Sequence, residues 1–137
     1  MKVVSLCVLA FLFVVACSAE QAPLLAEQLQ IVRPLPGMSM GAGYLTLRNN
    51  SDQQISITRV HSPELESVEM HESVLEDGIS RMHKLQEVVI LPGQNLSFEP
   101  GAKHLMLHYA AAIPAQVTLH FYAEETLMLS IGATLED

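Results

Sequence analysis

His71, Met82, His104 and Met106 combine two side-chain types that bind a soft metal ion without carrying charge themselves. Thioether sulfur is neutral and soft and suits Cu(I), whereas zinc prefers thiolate, imidazole and carboxylate, and magnesium or calcium prefers oxygen. Two His and two Met therefore select copper. A pair of thiols would hold Cu(I) too, but outside the reducing cytoplasm thiols tend to form a disulfide. Methionine avoids that loss, although it remains open to sulfoxide formation. The four residues follow the order His, ten residues, Met, twenty-one residues, His, one residue, Met.

The placement of the last two is legible in KHLMLHYA, residues 103–110. On a strand, successive side chains point to opposite faces. Leu105, Leu107 and Tyr109 then face a core, and His104, Met106 and His108 emerge on the other side at a rigid rim. At roughly 3.3 to 3.4 Å per residue, His104 and Met106 stand about 7 Å apart, within reach of one ion. His71 and Met82 lie in two strand-like segments, 67–72 and 79–84, joined through Glu76, Asp77 and Gly78. Those turn residues imply a hairpin that brings both to one rim. Met70 is adjacent to His71 and on a regular strand faces the core, but a bulge would turn it toward the metal, so it is a candidate supplementary donor. His108 is the other candidate supplementary donor, set further along the strand and otherwise a surface residue. His83 should face away from Met82, and His61 and His120 fall outside the pattern and are expected in solvent. Met38 and Met40, in PGMSMG, offer a second soft pair, for which packing within the loop is the expected role.

The elements that must position these donors are short. Alternating runs occur at 29–33, 44–49, 55–60, 67–72, 79–84, 87–91, 95–99, 104–109, 115–122 and 126–135, separated by turn-rich stretches such as NNSDQ, EDG, LPGQ and EPGAK. No long run has a 3.6-residue period. Many short strands at close spacing predict an all-β antiparallel sandwich or barrel in a single domain. GMSMG, residues 37–41, has the form of a hydrolase nucleophile elbow, but that turn needs a helix after the Ser, and GYLTL that follows is a strand. The acidic stretch ELESVEMHESVLED, residues 64–77, is expected to be a solvated face.

The donor spacing and its surroundings, AGYLTLRN at 42–49, MHES at 70–73, DGISRM at 77–82 and LPGQNLSFEPGAKHLML at 91–107, resemble the periplasmic copper(I) chaperones of the PCuAC family over about residues 41–131. The resemblance implies a cupredoxin-like or immunoglobulin-like Greek-key β-sandwich, here residues 28–137, that binds one Cu(I) through His71, Met82, His104 and Met106. It also implies delivery of copper to a respiratory oxidase, for the binuclear copper centre of cytochrome c oxidase, with the oxidase copper subunit or another copper chaperone as recipient. Copper moves by ligand exchange, so no enzymatic activity is expected. The same site would equally serve a periplasmic copper buffer or resistance protein. An alternative of a different class is an immunoglobulin-like assembly lipoprotein in which these residues are incidental. A monomer is expected. The chain departs from the family pattern at Ala102, where a second Gly is common, and in HYAAAIPAQVTLHF, which lacks a turn Gly. Both changes affect loop shape and leave every donor in place.

Ahead of the domain, Lys2 is followed by VVSLCVLAFLFVVAC, too short for a comfortable membrane span and laid out as a signal peptide. Its end, VVAC, resembles the lipobox of bacterial lipoproteins. Residues 1–16 would then be removed, Cys17 would carry lipid, and 17–27 would tether the domain on the periplasmic side of the envelope, with Ser18 favouring the outer membrane over the inner. Loss of Lys2 alone takes the formal charge from −8 to −9. So acidic a chain has few cations with which to displace phosphate counterions, which excludes nucleic acid as a partner. With Cys7 removed and Cys17 lipidated, the domain has neither thiol nor disulfide and depends on its core. Cys17→Ala is expected to move the protein from the membrane pellet to the soluble fraction; sedimentation of both forms with membranes would rule out lipid as the anchor.

Overall fold

The computed structural model describes residues 21–110 and 112–136. Eleven strands and no helix form among the described residues: β1 (Leu24–Val32), β2 (Met40–Asn49), β3 (Ile55–Ile57), β4 (Arg59–His61), β5 (Ser67–Glu76), β6 (Ile79–Lys84), β7 (Val88–Ile90), β8 (Asn95–Phe98), β9 (Lys103–His108), β10 (Gln116–Ala123) and β11 (Thr126–Glu136). The alternation that marks them in sequence is the alternation of burial. In β10, Val117, Leu119 and Phe121 are fully buried between partly exposed neighbours, and in β9 Leu105 and Leu107 follow the same pattern except that His104 beside Leu105 is also buried.

The main sheet runs β4-β10-β11-β1-β2-β9-β5-β6, with β8 alongside β2, and β3 pairs with β7 separately. β1 is the seam of this path. It pairs antiparallel with β2 on both sides of a bulge, from Leu24 to Val32, and its last residues, Ile31 and Val32, also run parallel to Leu135 and Glu136 of β11. A bulge between Glu27 and Gln30, with Gln28 at φ 58°, bends the strand so that it serves both neighbours. The layers β4-β10-β11 and β2-β9-β5-β6 enclose one core, a β-sandwich as the sequence predicts. Val60, Val117, Leu119 and Phe121 from the first layer and Leu45, Leu47, Leu105 and Leu107 from the second belong to it, together with Ile57 and Ile90 of the β3-β7 pair. Each fully buried Leu stabilises the fold by about 1.5 to 3 kcal/mol relative to exposure.

Two expected boundaries shift. β1 begins at Leu24, inside the stretch expected to be a tether, because Leu24 is fully buried and opposes Asn49, so residues 24–27 form part of the first strand. The run 55–60 divides at Thr58, whose N–H donates to Tyr122 O at 2.9 Å, so that Ile55–Ile57 pairs with β7 and Arg59–His61 with β10. The expected signal peptide and Cys17 lie outside the described residues.

Polar side chains fix the loops. Asn49, fully buried, donates to Gln53 O at 2.7 Å and Ile90 O at 2.9 Å while its Oδ1 accepts from the Ser51 N–H and hydroxyl. Glu64 ties the loop before β5 to β10, its Oε2 accepting from Thr118 N and from the Ser62 hydroxyl, both at 2.9 Å. Burial pushes the Glu64 carboxyl up, but the Thr118 and Ser62 hydrogen bonds outweigh it and hold the pKa below the ordinary 4.5. A depressed carboxylate pKa gives stability that is complete above the ordinary value and lost as pH falls through the folded one. Glu64→Gln is therefore expected to lower stability to denaturant at neutral pH, with the difference from the parent shrinking as pH is taken below 4.5; a difference independent of pH would show that charge at this clip is immaterial.

Candidate metal centre

Strand β9 lies between β2 and β5, and its register sets the site. His104 opposes His71 and Met106 opposes Glu69 across β5, and Met106 opposes Ala42 across β2. On the hairpin, Met82 of β6 opposes Ser73 of β5, two residues beyond His71 and so on the same face. The hairpin loop is Asp77 and Gly78, at φ 51° and 78°, the backbone of a type I′ turn between Glu76 and Ile79. All four predicted donors thus emerge from the outer face of one sheet, while Leu105 and Leu107 enter the core opposite Gly43 and Gly41. Only part of the set stands at a rim: β9 has a neighbour on each side and His104 is only 9% exposed, whereas Met82 lies on the edge strand β6.

Both imidazoles are oriented. Their ring centroids are 5.9 Å apart with planes tilted by 37°. His104 Nδ1 donates to Ala102 O at 3.1 Å, which leaves the Nε2 lone pair for another partner. His71 Nε2 lies 2.9 Å from Glu69 Oε2, and because an ionised carboxylate only accepts, the proton belongs on Nε2 and the lone pair on Nδ1. That Nδ1 is buried with no hydrogen-bond partner, an arrangement that a bound metal ion would satisfy. Glu69 also accepts from Lys84 Nζ at 2.5 Å. The Lys84 hydrogen bond first, and the His71 hydrogen bond second, hold its carboxyl down to about 2, so it stays ionised and committed to these two neighbours at physiological pH. Ala102 O accepts from Ser73 N as well, at 3.1 Å. The residue that departs from the family pattern thus acts through its carbonyl, which Ala supplies as well as Gly.

The thioethers complete the set. His104, Met82, Met106 and also Met40 line one open cavity of about 410 Å³, walled further by Arg33 and Leu35. His71 is not on this lining and reaches the group through its ring contact with His104. Among the described residues no three His, Cys, Asp or Glu form a cluster able to hold a metal. The donors gathered around His104 are instead the thioethers of Met82 and Met106, which suit softer ions.

The supplementary donors fare differently. Met70 opposes Leu105 on the inner face and is 5% exposed in the core; the strand is regular at this point, so Met70 cannot supplement His71. His108 shares the outer face but opposes Ser67 and Met40, is absent from the cavity lining, and has its Nε2 3.9 Å from Glu69 Oε2. His83 points outward to Glu76 at 3.1 Å, as expected. His61 is exposed but His120 is not fully solvated: it stacks on His61 at 6.4 Å and buries its Nδ1. Met38, though 52% exposed, lies with Pro34, Leu35 and Gly37 of its own loop around one hollow, as expected, whereas Met40, 43% exposed, begins β2 and lines the cavity with the donors. The convergence of Met40 on the donors has no signal in local sequence, because it depends on pairing between β2 and β9. Half of the six acids in the acidic stretch are compensated by cations, Glu69 by Lys84, Glu72 by Lys103 and Glu76 by Arg81.

The family model described as "Putative lipoprotein LpqE-like" matches residues 19–131. "Uncharacterized protein RP573" of Rickettsia prowazekii (strain Madrid E) is 28% identical over 72 residues, a match that covers 52% of this chain and 40% of that protein's length. The copper-bound PCuAC domain from PmoF2 superposes with a TM-score of 0.63 at 21% identity, covering 83% of this chain and 92% of that one. The apo PCuAC domain from PmoF1 gives 0.63 at 20% identity, over 83% and 93% of the two chains. Apo-DR1885 from Deinococcus radiodurans gives 0.61 at 20% identity, over 100% and 94%. These likenesses establish the PCuAC-type, cupredoxin-like sandwich as the fold. Since the family model spans nearly all of the sheet just described, the chain belongs to the LpqE-like family of putative lipoproteins.

Proposed function

We propose that this protein is an extracytoplasmic copper chaperone that carries one Cu(I) on His71, Met82, His104 and Met106. The observation that carries the proposal is the convergence of His104, Met82 and Met106 on one open cavity, with the His104 Nε2 lone pair left free by the hydrogen bond from Nδ1 to Ala102. The unpartnered Nδ1 of His71 beside it supports a fourth donor. All four donors are neutral and two are soft, which favours Cu(I) over divalent ions. The nearest carboxylate, Glu69, is occupied by Lys84 and His71 and does not offer itself as a hard ligand. The fold that this chain shares with a copper-bound PCuAC domain supports the reading, and the lipoprotein family supports a location outside the cytoplasm.

Delivery requires ligands that leave one at a time, and the exposure of Met82 suits that. Ligand exchange moves no proton and makes no covalent intermediate, so the protein acts as a carrier and not as an enzyme. By resemblance to the PCuAC chaperones, the recipient is the copper subunit of a respiratory oxidase, with the binuclear centre of cytochrome c oxidase as destination.

Titration of the full chain with Cu(I) against a competing chromophoric ligand, under reducing conditions, is expected to show one tight equivalent. Met82→Ala, Met106→Ala and His104→Ala should each weaken it about tenfold or more, equivalent to at least about 1.4 kcal/mol, and Met70→Leu should not. Imidazole must be unprotonated to bind while a thioether does not titrate, so affinity is expected to fall between about pH 7.5 and about pH 5. Binding unaltered in the three variants, or flat with pH, would remove the assignment. Deletion of the gene is expected to lower oxidase activity, with restoration by copper added to the medium; an unaffected oxidase would leave copper buffering as the role.

A further inference from the structure

Met40 is not among the four donors that the PCuAC resemblance implies, yet it lines the same cavity as His104, Met82 and Met106. Its position follows from register. Met40 opposes His108 and Ala42 opposes Met106, so Met40 and Met106 are diagonal neighbours on one face of the β2-β9 pair, a relation that puts long side chains within reach of each other. The residue between them on that face of β2 is Ala42, whose single methyl group leaves the space open. The backbone here is held firmly. Tyr109 N donates to Ser39 O at 2.8 Å, and a Cβ on Gly41 would meet Val32 O at 2.6 Å, so only Gly lets β1 and the end of β9 close around this start of β2.

A methionine usually fills a gap in a core. Met40 fills none, since it is 43% exposed. Met38, two residues earlier and 52% exposed, lines a separate apolar hollow with Pro34, Leu35 and Ile113. Side-chain exposure around the main cavity rises from His104 at 9% to Met40 at 43% and Met82 at 51%. The imidazole is thus the inner donor, and two thioethers stand at the outer end, on different strands.

We infer that Met40 is a third thioether donor, an exchange ligand through which Cu(I) enters and leaves the site. The inference rests on the Cu(I) reading above. In the exchange step a copper–sulfur bond to Met40 forms as the bond to Met82 breaks. Met82 is the most exposed of the four donors of the proposed site and sits on the edge strand β6. Both thioethers are neutral, copper remains Cu(I), and no proton moves. The coordination number is unchanged by this step: the ion is then held on the β2 side of the cavity, the side that Met82 has left is clear of protein donors, and a ligand of the acceptor binds there as the bond to Met40 breaks in turn.

Silver(I) is the probe, a soft monovalent ion that does not change oxidation state under these conditions. The full chain, labelled with ¹³C at the methionine methyl groups and held in mild detergent, is titrated with Ag(I) and followed by NMR, with Met→Leu variants assigning each signal. The methyl signals of Met40, Met82 and Met106 are expected to shift and to saturate together, and those of Met38, Met70 and Met128 to stay in place. Shifts at Met82 and Met106 with none at Met40 would overturn this inference and leave the four-donor site intact. No shift at any methionine would overturn the Cu(I) proposal itself. A transfer assay to a chromophoric Cu(I) chelator gives the kinetic counterpart. Because Leu conserves volume and affinity changes within a series appear mostly in rates of release, Met40→Leu is expected to slow transfer by about threefold or more. Met38→Leu should transfer at the parent rate. Equal slowing in both variants would indicate a general effect of the loop and would count against Met40 as a ligand.

Discussion

The register of β9 against β2 and β5 is the constraint on which the site depends. Leu105 and Leu107 are fully buried, and each faces a glycine across the pair, Gly43 and Gly41. The Leu105 Cβ lies 3.3 Å from where a Cβ on Gly43 would be, so Leu105 crowds the space a side chain there would need, and at Gly41 that space is closed by Val32 O and the Tyr109 ring. A slip of one residue would drive His104 and Met106 into the core and put both leucines in water, at a cost of several kcal/mol. Hydrophobic packing on one face thereby fixes the position of polar and soft groups on the other. The donors need no stabilising role of their own, and they are free to remain coordinatively unsaturated.

Electrostatics around the site serves orientation more than stability. The pairs Glu69 with Lys84, Glu72 with Lys103 and Glu76 with Arg81 are partly or fully solvent-exposed, and such pairs typically stabilise by no more than about 1 kcal/mol. Their consequence lies in what they prevent. A free carboxylate two residues from His71 would be a hard, charged ligand and would shift selectivity toward zinc or Cu(II). Lys84 opposes His71 in the hairpin register and takes one oxygen of Glu69, while His71 takes the other. The acid is converted from a competing ligand into the group that sets the imidazole tautomer.

The alternation of apolar residues made the strands legible, and the Asp77-Gly78 loop made the β5-β6 hairpin legible, because both are encoded within a few residues. The four candidate donors were legible through their spacing, and their shared face follows from parity along β5, β6 and β9. What stayed hidden is non-local. Nothing near Leu24 announces that it will oppose Asn49, and nothing near Thr58 announces that two different layers compete for the strand around it. Met40 looked like a loop residue because its role depends on β2 lying beside β9, a pairing that brings together residues far apart in the chain. Ala102 looked like a defect in a glycine turn. Its contribution is a carbonyl aimed at His104, and a backbone group has no sequence signature.

In the carrier role proposed above, holding and releasing an ion make opposite demands, and the site would assign them to different atoms. The two imidazoles are the inner groups, each fixed by a hydrogen bond at its far nitrogen, His104 to Ala102 O and His71 to Glu69. Fixed donors lose little freedom on binding, which favours retention. The sulfurs are on long side chains with three rotatable bonds, and Met82 stands on the edge strand with half its surface in solvent. Mobile, exposed donors regain more freedom when they let go, so in the carrier proposed above exchange would begin on the sulfur side while nitrogen keeps the ion in place. A site of four equally buried ligands would bind more tightly and release too slowly. One built from exposed ligands alone would lose its cargo in transit. Placing the nitrogens on central strands and a sulfur on the edge reconciles the two demands with nothing beyond the order of strands in the sheet.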